Sequence, residues 1–460
     1  MNQDEVPRSL NDSQNSLITH NVTCVNESTR TNQNKNQGTS NTETLMHIIK
    51  ANIGTGVLAM PLAFKNGGLA LSSISLWIMG LICIHCMHIL LNCYKYVSAN
   101  LKEATDIIPD KNIGYDDVVE LIFKEKFSTN PKISKYSRFI TSLFLVIGQL
   151  GFCCVYLVFV PTNLKQVIDY YYPSNELTLE ILMCIILFPL ILFCLIKDLK
   201  ILAPFSTLAN LLMISSILVI LYNLFFDGSL KPISQLDLVA PYYDWPIYFS
   251  SAIYAFEGIS LVLPVYHEMR YKQDFSTWNG VLNTAMIFVA IMYFSVGFFG
   301  YMKYGTDSAA SITLNLPTSS VLFQIVKILF AIAIFISYNL QFYVAADIIW
   351  AQMSDLNRSA SKAYNLIQNV FRSSLVILTF LLAIKVPRID LFISLVGSIA
   401  SSTLALIIPP VLDLMIFWKS SNKTLLRFLK NLCVIIFGTY IFISGTWVSL
   451  TDIVDYLKNR

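Results

Sequence analysis

The sequence predicts an all-α polytopic membrane protein of about eleven transmembrane helices, and three observations carry that expectation. Hydrophobic residues make up 55% of the 460 and charged residues only 13%, whereas soluble domains carry roughly one quarter charged residues. Apolar runs long enough to cross a bilayer, about 20 residues each, recur along the chain. The loops between them are short and carry an uneven distribution of Lys and Arg.

Taken in order, the runs fall near 44–66, 69–97, 136–161, 177–196, 202–226, 245–266, 279–302, 319–350, 365–385, 389–417 and 430–457. Each must pair its own backbone polar groups where water is absent, which restricts it to helix. With the N-terminus inside, about 17 Lys and Arg fall on the cytoplasmic side against 8 outside, the direction the positive-inside rule requires. The N-terminus is therefore expected in the cytoplasm.

Residues 1–43 are rich in Asn, Ser, Thr and Gln, too polar to bury the surface that would offset chain entropy, and are expected to form a disordered cytoplasmic tail. No charged-then-apolar leader opens the tail, so the first span is expected to act as the insertion signal. Three glycosylation sequons, at Asn11, Asn21 and Asn26, are expected to go unused there. Between the second and third spans, residues 98–135 mix acidic and basic side chains around an amphipathic stretch near Tyr115–Phe127, which reads as a surface helix and linker.

Several function classes drop out. A formal net charge of +3, with no basic stripe interleaved with aromatics, gives nucleic acid nothing to bind. Of nine cysteines, Cys24 lies in the tail and eight lie inside apolar runs, so Cys83-x-x-Cys86 reads as helix packing and no metal or disulfide framework is expected. No phosphate loop, metal cluster or assembled nucleophile suggests an enzyme, and no cofactor is expected. Lys50, Lys327 and Arg372 stand near span ends, where long side chains can snorkel to the interface. His85 and His88 read as helix contacts, and Asp413 as a solvated residue near the cytoplasmic end.

The chemistry concentrates in two runs. The first contains His47, Asn52, Ile53, Gly54, Thr55, Gly56 and Pro61, and the sixth contains Tyr254, Phe256, Glu257, Gly258 and Pro264. Glycine permits non-helical backbone and proline removes an N–H, so both spans are expected to be interrupted, close helix packing being the alternative for the glycines. Interruptions at matching positions five spans apart are the pattern of secondary transporters built from inverted repeats. The expected organisation is a 5+5 inverted-repeat, LeuT-like fold, with a first repeat at about 44–226, a second at about 245–417 and an extra helix at 430–457.

An interrupted helix offers free N–H groups and a positive dipole end to a carboxylate, and free carbonyls to an ammonium. Asn52, Ile53, Gly54, Thr55 and Gly56, with Tyr254, Phe256 and Gly258, are accordingly the candidate substrate contacts, the carbonyls near Tyr254–Phe256 facing the amine. Glu257 is the acidic residue placed near mid-span, where burying a carboxylate is costly. It is a candidate proton site, an anchor for the broken helix, or a protonated hydrogen-bonding group. His47 lies close to two turns before Gly54 and is a candidate for proton handling or for packing.

At these residues the sequence resembles the proton-coupled amino acid transporters of the amino acid/auxin permease group. The stretch from His47 to Gly68 resembles that family's first span, His85-Cys-Met-His88 its second, and Phe256-Glu257-Gly258 with Leu263-Pro264 its sixth. The resemblance runs from about residue 44 to the end. It implies eleven spans of the inverted-repeat type, proton symport of small neutral amino acids such as glycine, alanine or proline, and proton coupling at the position of His47. Cysteines paired between external loops, frequent in the family, are missing here, and Tyr266-His267-Glu268-Met269 departs from its usual turn. A plasma membrane and a lysosomal or endosomal one both fit, and the alternative is an amino-acid-binding nutrient sensor with little flux.

Overall fold

The computed structural model describes residues 38–105, 113–174, 176–197, 199–226, 229–353, 362–417 and 425–459. The expected tail as far as residue 37, with Cys24 and the three sequons, lies outside them, as do residues 106–112 of the expected linker. The chain forms α1 (Asn41–Asn52), α2 (Thr55–Gly67), α3 (Leu69–Thr105), α4 (Tyr115–Lys126), α5 (Pro131–Tyr171), α6 (Leu179–Cys194) and α7 (Leu199–Phe226). It continues with α8 (Trp245–Ala255), α9 (Ile259–Glu268), α10 (Val281–Tyr304), α11 (Ile312–Asn315), α12 (Val321–Met353) and α13 (Lys362–Lys385). The last two are α14 (Ile389–Ile416) and α15 (Leu425–Lys458), each containing π-helical turns.

Among the described residues, nine helical stretches are long and apolar enough to cross a membrane, with α8 and α9 together forming one of them. The bent pair α1–α2 makes a tenth. The eleventh expected span is present as α6, an apolar helix of 16 residues. Burial separates centre from edge: 78% of the apolar stretch is buried in α5, in α8–α9 and in α14, against 28% in α15. Ile74, Leu81, Phe188, Leu211, Leu218 and Ile436 stand exposed on the outer faces, a belt that only lipid can cover without cost.

The first helix starts inside the expected tail. Ser40 and Glu43 form a capping box, Ser40 Oγ accepting from the Glu43 N–H (3.3 Å) and the Glu43 carboxylate from the Ser40 N–H (2.8 Å), so the helix begins at Asn41. Just before it, the Thr39 N–H donates to the Glu268 carbonyl (2.9 Å) and the Arg270 N–H to the Thr39 carbonyl (3.0 Å). Asn41 Nδ2 donates to Asp274 (2.9 Å). The entrance of α1 is thus laced to the exit of α9. The amphipathic segment is helical as expected: α4 buries Tyr115, Val118, Val119 and Ile122, and Arg138 of α5 pairs with its Asp116, Asp117 and Glu120.

The charged residues near span ends correct the sequence reading. Arg372, 3% exposed, does not snorkel: its guanidinium donates to the carbonyls of Cys194 (2.8 Å) and Ile196 (3.3 Å), and Asn339 donates to that of Phe193 (2.8 Å). Three carbonyls that end α6 are thereby satisfied inside the protein. Lys327, fully buried, donates to the Leu316 carbonyl (3.1 Å), and Lys50 to Ser206 of α7 (2.5 Å). Asp413 is buried rather than solvated, because Arg427 and Asn431 of α15 both bond to its carboxylate. His88 contacts Asn283 of α10 (2.6 Å), a helix contact as expected, while the Nε2 of half-buried His85 has no hydrogen-bond partner.

Candidate functional site

Both expected interruptions are present, and neither lies at its proline. The first falls at Ile53 and Gly54, across which α1 and α2 meet at a 50° bend. The second falls at Phe256–Gly258, between α8 and α9. Pro61 and Pro264 lie inside α2 and α9, so each helix runs through its proline. The break points are instead fitted to one another. A Cβ on Gly56 would stand 2.8 Å from Ala255 Cα, and one on Gly258 2.7 Å from the Asn52 side chain. The two discontinuities touch, and glycine is required where the backbone of one meets the other.

Tyr293 of α10 pins them. Its hydroxyl lies 2.5 Å from the Asn52 carbonyl and 2.6 Å from the Ala255 carbonyl, one proton shared between the acceptors freed at the two breaks. Its ring meets Phe256 edge to face at 5.0 Å.

Beside the breaks lies a cavity of 30 Å³. From α1–α2 it is lined by Ala51, Asn52, Gly54, Thr55 and Gly56, and from α8–α9 by Tyr254, Ala255, Glu257, Ser260 and Leu261. Gln149, Phe152 and Tyr156 of α5 and Gln341 of α12 close it. The α2 N-terminus, at Gly54, has no side-chain cap, so its first N–H groups are available to an anion. Thr55 Oγ1 and Tyr254 Oη share a hydrogen bond of 3.0 Å, and the Tyr254 ring rests on Phe152 at 4.7 Å. Tyr156 bonds to the Gln341 side chain.

Three buried polar groups give the wall its chemistry. Glu257, 7% exposed, accepts a hydrogen bond from Ser401, which the π-helical turn Gly397–Ser401 of α14 presents to it. Gly148 leaves room for the carboxyl on the α5 side. Asn52 Oδ1 and Gln149 Oε1 are buried acceptors with no hydrogen-bond partner. Buried acceptors are normally satisfied, so two of them on one small cavity point to a donor that arrives from outside the chain.

Of the residues singled out by sequence, Asn52, Gly54, Thr55, Gly56, Tyr254 and Glu257 are brought together here. Ile53 turns into a groove between α1 and α7, and Gly258 lines a separate small cavity with Asn52. Phe256 packs on Tyr293 and Gly80, away from the cavity. His47 is exposed, in the α1–α7 groove. The carbonyls expected to face an amine are mostly engaged: Ala255 with Tyr293, Phe256 with the Gly258 N–H (2.8 Å) and Tyr254 with the Glu257 N–H (3.4 Å). The sequence reading missed Gln149, Phe152, Tyr156, Tyr293, Gln341 and Ser401. The two glutamines carried a usable signal, since an amide inside an apolar run is costly unless it serves a partner.

A family model described as transmembrane amino acid transporter protein matches residues 37–451. The chain is 33% identical over 423 residues to the proton-coupled amino acid transporter-like protein pathetic of Drosophila melanogaster, covering 92% of this chain and 87% of that one. It is 27% identical to vacuolar amino acid transporter 3 of Saccharomyces cerevisiae over 89% of this chain, a match spanning 56% of the yeast protein's length. Among solved structures, MhsT in complex with L-phenylalanine aligns over 89% of this chain and 96% of that one, with 14% identity and a TM-score of 0.48.

Proposed function

The chain belongs to the transmembrane amino acid transporter family, and from that premise we propose that this integral membrane protein carries small neutral amino acids by proton symport. The observation that carries the reading is Glu257, a buried carboxyl at the second break that faces the cavity and is held by Ser401 of another helix. A carboxyl in that position can be loaded and unloaded with a proton as the cavity changes its access, while a substrate occupies the same space. The Drosophila relative's name includes proton coupling.

In this reading the substrate carboxylate docks on the uncapped N–H groups at Gly54, Thr55 and Gly56, where the helix dipole favours negative charge. Its ammonium meets the unpartnered acceptors Asn52 Oδ1 and Gln149 Oε1, with Glu257 completing the charge balance. The walls left for a side chain are Ala51, Phe152 and Leu261. At 30 Å³ the cavity has room for little more than a water or two, which supports small substrates held in an occluded arrangement that must widen to load. Phe256 and Gly258 then shape the break rather than touch substrate, and Ile53 belongs to the moving end of α1. Substrate is held between two repeats, about 44–226 and 245–417, each opening with an interrupted helix, the residues from 430 onward being the extra helix. In this reading the N-terminus lies on the cytoplasmic side of a plasma membrane or of a lysosomal or endosomal one.

His47 has no contact with the cavity, so any proton it handles would act through movement of α1 and not on substrate. The test is uptake of labelled glycine, alanine and proline into liposomes, with and without an inward proton gradient, for the wild type, Glu257→Gln and His47→Ala. Gradient-stimulated uptake that disappears in Glu257→Gln supports the proposal. Folded protein that binds these amino acids yet moves none under any gradient would make it a sensor instead.

A further inference from the structure

The two elements that meet at Glu257 are joined a second time, on the side where the chain enters α1. His267 of α9 donates from Nε2 to the Ile113 carbonyl (3.0 Å). Two residues on, the Tyr115 hydroxyl donates to the Leu404 carbonyl of α14 (2.7 Å). Ile113 and Tyr115, at the entry of α4, thereby span the same pair of elements that the Glu257–Ser401 bond joins directly. Glu268, which follows His267, pairs with Thr39 just ahead of α1, so this second link lies on the cytoplasmic side in the orientation proposed above.

The acceptor on α14 is one that its own helix leaves bare. A π turn pairs each carbonyl with the N–H five residues on. In the turn Thr403–Ile407 the Ile408 N–H accordingly goes to Thr403, and the partner due to Leu404 would be Pro409, which has no N–H to give. The hydroxyl of Tyr115, 4% exposed, takes that place. Burial first, then Cys86, Cys93 and Glu257 nearby, push this hydroxyl well above the ordinary tyrosine range, which keeps it a donor. The helix that carries it is anchored on α5, where Arg138 pairs with Asp116, Asp117 and Glu120 and Ser142 donates to Asp116 (3.0 Å).

A cytoplasmic route to Glu257 between α9 and α14 requires the two to part, which breaks both links. We propose that the entry of α4 is a latch over the cytoplasmic side of Glu257, with Tyr115 and His267 as positioning residues that hold α9 and α14 together until the carboxyl is loaded. A charged Glu257 accepts from Ser401 more strongly than a protonated one, so loading loosens the direct link and leaves the latch as the remaining hold. The inference rests on the transport reading for what Glu257 does.

The test uses Ile113→Cys as a reporter, a buried side chain whose backbone carbonyl the substitution leaves in place. The background chain has Cys24, Cys184 and Cys433 replaced by Ser; the remaining cysteines are buried. Labelling by a polar thiol reagent in detergent reads opening of the latch. Tyr115→Phe and His267→Phe each keep an aromatic ring and delete one donor, and either serves if the other folds poorly. Each is expected to speed labelling about 3- to 10-fold, as loss of one buried hydrogen bond implies, and Glu257→Gln, which removes the charge, to speed it likewise. In liposomes Tyr115→Phe is expected to lower gradient-driven accumulation of glycine, alanine or proline about 3- to 10-fold without slowing exchange of internal for external amino acid, a split that loss of folded protein would not give. Labelling unchanged in both ring variants or in Glu257→Gln, or accumulation and exchange falling together, overturns the proposal. Faster labelling in all three variants of a chain whose wild type moves no amino acid would keep the latch and reject the transport reading.

Discussion

Ser401 donates a hydrogen bond to the carboxyl of Glu257, joining a π-helical turn of α14 to the break between α8 and α9. The bond spans two elements that lie more than 140 residues apart in sequence and places a hydroxyl donor where a buried carboxyl would otherwise stand alone. Any rearrangement that parts α14 from α8–α9 must break it, so protonation of Glu257 and the packing of α14 are physically linked.

The first prediction follows from that link. Ser401→Ala is expected to lower gradient-driven uptake about 10-fold, a change of roughly 1.4 kcal/mol, whereas Ser402→Ala, whose hydroxyl bonds within its own helix to Ser398, has little effect. Glu257→Gln is expected to abolish gradient-driven accumulation but to retain exchange of internal for external amino acid. Uptake and exchange measured on the same liposomes decide it, and equal loss of both would remove Glu257 from proton coupling.

Tyr293→Phe deletes one hydroxyl from a fully buried site and leaves the Asn52 and Ala255 carbonyls without their shared donor. An unsatisfied buried polar group costs about 1–3 kcal/mol. Thermal unfolding in detergent is expected to shift down by several degrees, with transport reduced in the protein that remains folded. An unchanged melting profile would show that the carbonyls find another donor.

Gly56 and Gly54 separate tolerance by geometry. A methyl on Gly56 meets Ala255 backbone at 2.8 Å, which neither helix can yield cheaply, so Gly56→Ala is expected to cost about 1–3 kcal/mol and to lower folded yield. On Gly54 the nearest atom is Tyr156 Oη at 3.8 Å, so Gly54→Ala should fold normally and raise KM by narrowing the cavity. Chromatographic yield and uptake kinetics, side by side, test the contrast.

Asn41→Asp sets a second carboxylate against Asp274 at the point where α1 is laced to the chain beyond α9. Like charges there are expected to loosen the backbone pairing of Thr39 with Glu268 and Arg270. Hydrogen exchange at the Thr39 and Arg270 amides should accelerate about 10-fold, corresponding to roughly 1.4 kcal/mol. Unaltered exchange would mean that the main-chain bonds hold without the side-chain contact.

The spans and both interruptions were legible because lipid imposes a length and because glycine in an apolar run is conspicuous. The break points, at Ile53–Gly54 and Phe256–Gly258, fall beside the glycines the sequence singles out, but what lies against them, Ala255 at Gly56 and Asn52 at Gly258, was not legible. Those contacts are non-local and leave no local trace. Half of the cavity was missed for the same reason: Gln149, Tyr156 and Gln341 stand on helices with no motif, and their meeting depends on how α5 and α12 pack. Arg372 was misread because distance from a span end says nothing about what lies beside it, here three bare carbonyls at the end of α6.

That end of α6 bears on how the protein sits among lipids. Sixteen residues at about 1.5 Å each rise roughly 24 Å, short of a hydrocarbon layer of about 30 Å. A helix so short would normally draw the bilayer inward to meet it, a deformation that grows with membrane thickness. Here Arg372 and Asn339 supply the hydrogen bonds that interfacial water would otherwise give, so the polar end of the helix is satisfied within the protein. These carbonyls need no water at that depth, so α6 can end below the interface without the bilayer thinning to bring water to them.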